Sequence, residues 1–151
     1  MGCVMDSGKI VSLQLCVGHK EPMEFKDEVV ALTGTGLEGD RHAVPDNARQ
    51  ILLMDKEVLD AFDLKPGIVR ENVTVSGVSI HKLSQGQRLR LGSDVVLEVT
   101  GHCEPCARMD EIRLGLRESL DMQRGMLTRV LQGGKLTLGD QVKVESELSG
   151  Q

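Results

Sequence analysis

Apolar and polar residues alternate along most of this chain with the two-residue period of half-buried strands. Residues 9–17 set Val11, Leu13, Leu15 and Val17 against Ser12, Gln14 and Cys16, which predicts a strand. Residues 28–32 predict another, followed by a glycine-dense loop over 33–42. Gln50-Ile51-Leu52-Leu53-Met54 is an apolar run of strand length. Asp55 is placed to cap a helix over 56–62, and Pro66-Gly67 closes that region. Residues 72–75 predict a short strand ended by Gly77. Residues 87–91 and 95–100, joined through Gly92-Ser93-Asp94, predict a hairpin whose second strand stops at Gly101. Met109, Ile112, Leu116 and Leu120 recur every three or four positions, predicting one amphipathic helix over 109–124, with Gly115 its weak point. Residues 126–132 and 141–145 predict two closing strands with turn glycines between them.

Seven or so short strands, glycine-rich turns and few helices predict a mainly β fold, a compact β-barrel with short helical decorations. The 151 residues suit a single domain over 1–151, with a core over about 9–145 and a frayed polar tail over 146–151. No internal repeat, linker or low-complexity tract interrupts it.

Composition narrows the partners. The net charge of −5 argues against nucleic acid or an anionic membrane surface as the main partner. With no Trp, no Tyr and only Phe25 and Phe62, an aromatic platform for stacking bases is excluded. No apolar run approaches the roughly 18 residues of a membrane span, and the N-terminus has no apolar signal core. The expectation is a cytoplasmic protein whose four cysteines are reduced.

Three stretches carry candidate chemistry. Cys103-x-x-Cys106 follows the predicted strand at a loop, where a thiol is held by a stiff element and still meets ligand. Positive charge from His102 and Arg108 favours the thiolate form, and hence a reactive or metal-ligating sulfur. A structural zinc needs two further ligands, and Cys3 and Cys16 form no second pair. A thioredoxin-like dithiol needs a βαβ setting that is missing. The plain alternative is two small, semi-buried residues without a role. In Gly36-Leu37-Glu38-Gly39-Asp40-Arg41-His42, glycines open backbone N–H groups to an anion while Arg41 and His42 supply charge. The alternative there is a tight turn with Asp40 paired to Arg41. Arg70, ahead of Glu71-Asn72, could grip a phosphate or carboxylate in bidentate fashion, or serve a structural pairing. His19 and His81 stand alone in polar surroundings and carry no expected role.

In combination these motifs are more specific. The loop 36–42, Arg49-Gln50-Ile51-Leu52-Leu53-Met54-Asp55, and Pro66-Gly67-x-x-Arg70-Glu71-Asn72-Val73-Thr74-Val75-Ser76-Gly77 stand in order. Leu83-x-x-Gly86-x-x-Leu89-x-Leu91-Gly92, Pro105-Cys106, Gly125-x-x-x-Arg129-Val130-Leu131-x-x-Gly134 and Gly139-Asp140-x-Val142 follow. This order resembles the MOSC domain, found at the C-terminus of molybdenum cofactor sulfurases, in amidoxime-reducing molybdenum enzymes and as small free-standing bacterial proteins.

The resemblance implies a barrel of the pyruvate-kinase β-barrel type. It also implies a cysteine, here Cys106, that ligates molybdenum or carries sulfur, with Cys103 as a second thiol and possible ligand. By the same resemblance Gly39, Arg41, His42, Arg70 and Asn72 hold the molybdenum cofactor (molybdopterin). Glu71 and Arg108 position their neighbours. The chain carries no iron–sulfur cysteine set and no aminotransferase-like domain, so a pyridoxal phosphate site is not expected. Electrons or sulfur would come from a separate donor protein. The implied function is cofactor binding or sulfur carriage, as part of a reductase of N-hydroxylated compounds or of cofactor maturation. The rivals are a non-catalytic interaction module of the same pathway and a zinc-binding structural domain.

Overall fold

Strands dominate because β-branched and leucine-rich segments are separated by glycine turns too closely for long helices. A computed structural model describes residues 6–145; Cys3 and the tail expected to fray, 146–151, lie outside the described residues. The strands are β1 (Asp6–Leu15), β2 (Glu24–Lys26), β3 (Glu28–Leu32), β4 (Gly36–Leu37), β5 (Ile51–Asp55) and β6 (Val73–Val78). They continue with β7 (Arg88–Leu91), β8 (Val95–His102), β9 (Met126–Gln132), β10 (Gly134–Thr137) and β11 (Gln141–Val144). Three short α-helices, α1 (Lys56–Ala61), α2 (Ala107–Ile112) and α3 (Leu116–Ser119), and one 3-10 turn (Ile80–Lys82) intervene.

The main sheet runs β11-β7-β8-β9-β5-β6-β1, and the pairing of β1 with β11 closes it into a seven-stranded barrel. The barrel is mainly β, as the alternation predicts. Strand β2 extends β1 outside the ring, and β10-β3-β4 form a small second sheet. Only β5 and β6 pair in parallel among the described strands, and α1 lies in the connection that brings the chain back.

Two apolar clusters explain the wall. Ile10, Leu13, Ile51, Leu53, Val73, Val75, Leu89, Leu97, Val99 and Val130 fill the barrel. Outside it, Met54, Val58, Leu59, Val69, Met109, Leu116 and Leu120 pack the helices against the wall. Strand β5 is therefore buried on both faces, which is why its sequence is an unbroken apolar run rather than an alternation.

Several boundaries differ from the sequence reading. Val11 and Val17 are 40% and 39% exposed, whereas Gln14 and Cys16 are 0% and 1% exposed. A register shift between Ile10 and Ser12 breaks the two-residue period and turns Gln14 toward buried polar partners. The predicted helix over 109–124 is two helices, because Gly115 adopts φ 88° at the N-cap of α3. Strand β8 runs on through Gly101 and ends at His102, with an irregularity in its pairing there. Gly77 likewise sits inside β6 rather than ending it. Asp55 does stand at the N-cap of α1 but makes no side-chain cap. Its carboxylate accepts from His81 Nδ1 at 2.8 Å, so His81 is not a lone histidine.

Candidate functional site

On the outside of the barrel, β5 and β9 pair Leu52 with Leu127. Ile51 and Leu53 point into the core, so the pleat turns Leu52 outward. These two leucines line a hollow of about 270 Å³. Around them stand Lys20, Arg41, Arg49, Arg70, Arg108 and Arg124, together with His19, His42, Asn72 and the thiols of Cys16, Cys103 and Cys106. Six of the chain's 18 Lys and Arg residues face one hollow, and none of the described residues lining it is Asp or Glu. In a chain of net charge −5, such a grouping makes a local positive field suited to an anionic ligand.

Asp40 organises one side. Gly39, at φ +89°, makes the turn before it, and the Asp40 carboxylate is buried. Oδ1 accepts from the Cys16 N–H at 2.6 Å and from Asn72 Nδ2 at 3.0 Å. Oδ2 accepts from the His42 N–H at 3.0 Å and lies 3.4 Å from His42 Nδ1. The Arg41 N–H in turn donates to Cys16 O at 2.8 Å. The sequence alternative of an Asp40–Arg41 pair is thus replaced by Asp40–His42, leaving the exposed Arg41 side chain beside the hollow. Gly39 itself does not line the hollow.

Arg70 and Asn72 line it but are occupied. Arg70 has a left-handed backbone, φ 67°, unusual for a side chain of this size. Its Nη1 donates to Glu21 O at 2.7 Å, and Nη2 donates to Gly18 O and to Cys16 Sγ, both at 3.0 Å. Arg70 is therefore a clamp on the 16–21 loop. Asn72 accepts from the Leu52 N–H at 2.9 Å and donates to Gln14 O and Asp40 Oδ1, tying β5, β1 and the 36–42 loop together. Between them Glu71 is 0% exposed, accepting from the Gly67 N–H and the Thr74 hydroxyl. Burial raises its pKa above the ordinary glutamate value, with those hydrogen bonds and the charge of Arg124 opposing the shift.

The two thiols after β8 differ. Cys103 is 6% exposed, and its N–H donates to Gly125 O at 2.9 Å, which joins the loop to the start of β9. Cys106 is exposed. It forms the N-cap of α2, with its carbonyl accepting from the Met109 N–H, and fully buried Met109 fixes that helix to the outer cluster. Among the described residues no group of three His, Cys, Asp or Glu side chains could hold a metal ion, so a structural zinc finds no ligand set there.

The structure thus brings Arg41, His42, Arg70, Asn72, Cys103 and Cys106 to one hollow and leaves Gly39 behind the turn. Sequence reasoning passed over Cys16, His19, Lys20 and Arg124 as site residues. Arg124 had a signal: it stands one residue before Gly125, where the recognised motif begins. Cys16 had none, because the bulge in β1 is what turns it inward.

Comparison with known proteins identifies the fold and the family. The model of the MOSC domain matches residues 39–143. Among solved structures, the YuaD protein from Bacillus subtilis superposes with a TM-score of 0.78 at 20% identity, over 93% of this chain and 96% of that one. YiiM from Geobacillus stearothermophilus gives 0.73 at 17% identity, over 92% and 75%. YiiM from Escherichia coli gives 0.67 at 18% identity, over 92% and 70%. No curated protein matches the sequence. These likenesses show a shared fold, and the family match covers both cysteines after β8, most of the barrel and all of the hollow's lining except Cys16, His19 and Lys20: the chain belongs to the MOSC domain family.

Proposed function

We propose that this protein binds the molybdenum cofactor in the outer hollow, with the Cys106 thiolate as its ligand to the metal. The family is associated with molybdenum cofactor binding and sulfurase-like roles. One observation carries the reading for this chain: an exposed thiol opens onto a hollow lined by six cations and no carboxylate. The donor set fits the group. A thiolate is a soft anionic ligand suited to a sulfur-rich metal centre, and guanidinium groups suit a phosphate tail. The cofactor would supply two-electron redox chemistry at its metal. The chain's own part is to bind and orient. Cys106 holds the metal side, Arg41, Arg49 and Arg108 offer charge from the rim, and Leu52 with Leu127 gives an apolar floor. Arg70, Asn72 and Asp40 keep the three loops in register.

In this reading electrons, or sulfur, come from a separate donor protein, and N-hydroxylated compounds are the substrate class. A sulfur-carrier role uses the same atom: exposed Cys106 can attack the outer sulfur of a donor protein's persulfide, forming the Cys106 persulfide and releasing the donor's thiolate. Three free thiols among the described residues suit the reducing cytoplasm. No described helix is long and apolar enough to cross a membrane.

The test is metal and pterin analysis of protein made in cells that synthesise the cofactor, with intact mass measured on the same sample. Molybdenum and pterin near one per chain support cofactor binding. A mass increase of about 32 Da, one sulfur atom, supports the carrier role. Zinc alone, or no adduct of any kind, contradicts both and favours the structural or interaction-module readings.

A further inference from the structure

A guanidinium removed from water needs acceptors for its N–H groups and a counter-charge. Arg124 has neither in full. It is 6% exposed, yet its Nε and Nη1 have no hydrogen-bond partner among the described residues. Those two nitrogens carry three of the five guanidinium N–H groups. Glu71 is near enough to feel the charge, but no ion pair joins the two among the described residues, and Glu71 Oε1 is itself without a donor. The side chain instead lines the cationic hollow beside Cys103 and Cys106.

Its position is set by the backbone. Gly125, at φ +124°, lies so close to β5 that a Cβ there would come within 2.5 Å of Leu53 O. Gly125 O also accepts the Cys103 N–H. The segment bearing Arg124 is thereby fixed to the loop bearing the thiols. Arg70, the arginine that the sequence favours for gripping an anion, has both terminal nitrogens engaged elsewhere.

We propose that Arg124 is the anion seat of the hollow. A turn of its side chain brings the unpartnered N–H groups, buried in the hollow's wall, onto a tetrahedral oxoanion beside the thiol pair, either a phosphate group on a larger ligand or a free metal oxoanion such as molybdate. This deepens the cofactor reading, on which it rests only in taking the hollow as a ligand site. A bound oxoanion supplies both the acceptors and the charge that the buried guanidinium lacks.

Thermal unfolding at constant ionic strength tests it, with inorganic phosphate, molybdate or chloride added to wild type, Arg124→Gln, Arg124→Lys and Arg129→Gln. Phosphate or molybdate at tenfold its Kd raises the wild-type Tm by roughly 3–6 °C. Arg129→Gln, which alters an exposed ion pair with Glu98, responds like the wild type. Arg124→Gln needs at least tenfold more anion for the same shift, and Arg124→Lys falls between. Without anion, Arg124→Gln melts no lower than wild type, because a neutral amide no longer strands a buried charge. A response to phosphate alone marks a phosphate-bearing ligand, and one to molybdate alone marks the free oxoanion. Equal responses of wild type and Arg124→Gln, no wild-type response beyond that of chloride, or a lower anion-free Tm in Arg124→Gln overturns the assignment. Those failures are separate from failure of the cofactor reading, which is decided by metal content and Cys106.

Discussion

Asp40 accepts two backbone N–H groups and one amide while touching His42, so a single buried carboxylate fixes the 36–42 loop to the residue after β1 and the residue before β6. Removing it in Asp40→Ala strands those donors and costs about 2–4 kcal/mol, measurable by urea unfolding. Glu71 acts with pH. Its folded pKa is raised by burial, so the stability it contributes is complete below the ordinary glutamate value of 4.5. That contribution is lost as pH rises through the elevated folded value. Glu71→Gln should therefore gain stability relative to wild type as pH increases from 4.5 toward neutrality; an unchanged difference across that range contradicts the buried-carboxylate account. The cationic character of 41–42 and the exposed loop position of Cys106 were legible in sequence, since both depend on local motif and spacing. The engagement of Arg70 was not, because its partners are carbonyls and a sulfur some 50 residues away.

The elements reach the site through the outer cluster. Met109 anchors α2 against Met54 and Leu59 of the wall and α1, and the N-cap of α2 is Cys106. Met109→Ala should destabilise the protein by about 2–4 kcal/mol and speed alkylation of Cys106 in the folded state, read by mass spectrometry. Equal alkylation rates would mean that the thiol is positioned by something other than this helix. The β7–β8 hairpin, with its alternation, and β3, a short β-branched apolar run, could be read from sequence. Elements of two to four residues, β2, β4 and β10, could not, because they are too short to show a period of their own, and β10 in addition pairs with β3 from the far end of the chain. The break at Gly115 shows a conformational choice overruling an apolar repeat that continued across it.

For the molecule as a whole, the notable feature is how charge is distributed. The net value of −5 averages away a hollow with six cations. The next cleft along, which shares Cys103, carries Glu104, Asp110, Glu118 and Asp121 against Arg117 and His102, so its charge balance is the opposite of the hollow's. Anion binding should therefore weaken several-fold between 10 mM and 150 mM salt, as the Debye length falls from about 30 Å to about 8 Å. Titration with phosphate at the two salt levels checks this, and salt-independent affinity would argue against a charge-based hollow. The barrel itself was legible, because alternation and turn glycines dictate it. The placement of the hollow on the outer wall was not, since it needs the pairing of β5 with β9. The most direct measurement is the molybdenum content per chain of wild type, Cys103→Ser and Cys106→Ser made in cofactor-producing cells. The account predicts near-stoichiometric metal in the first two and at least a tenfold loss in Cys106→Ser with the fold retained; metal kept by Cys106→Ser and lost by Cys103→Ser would contradict it.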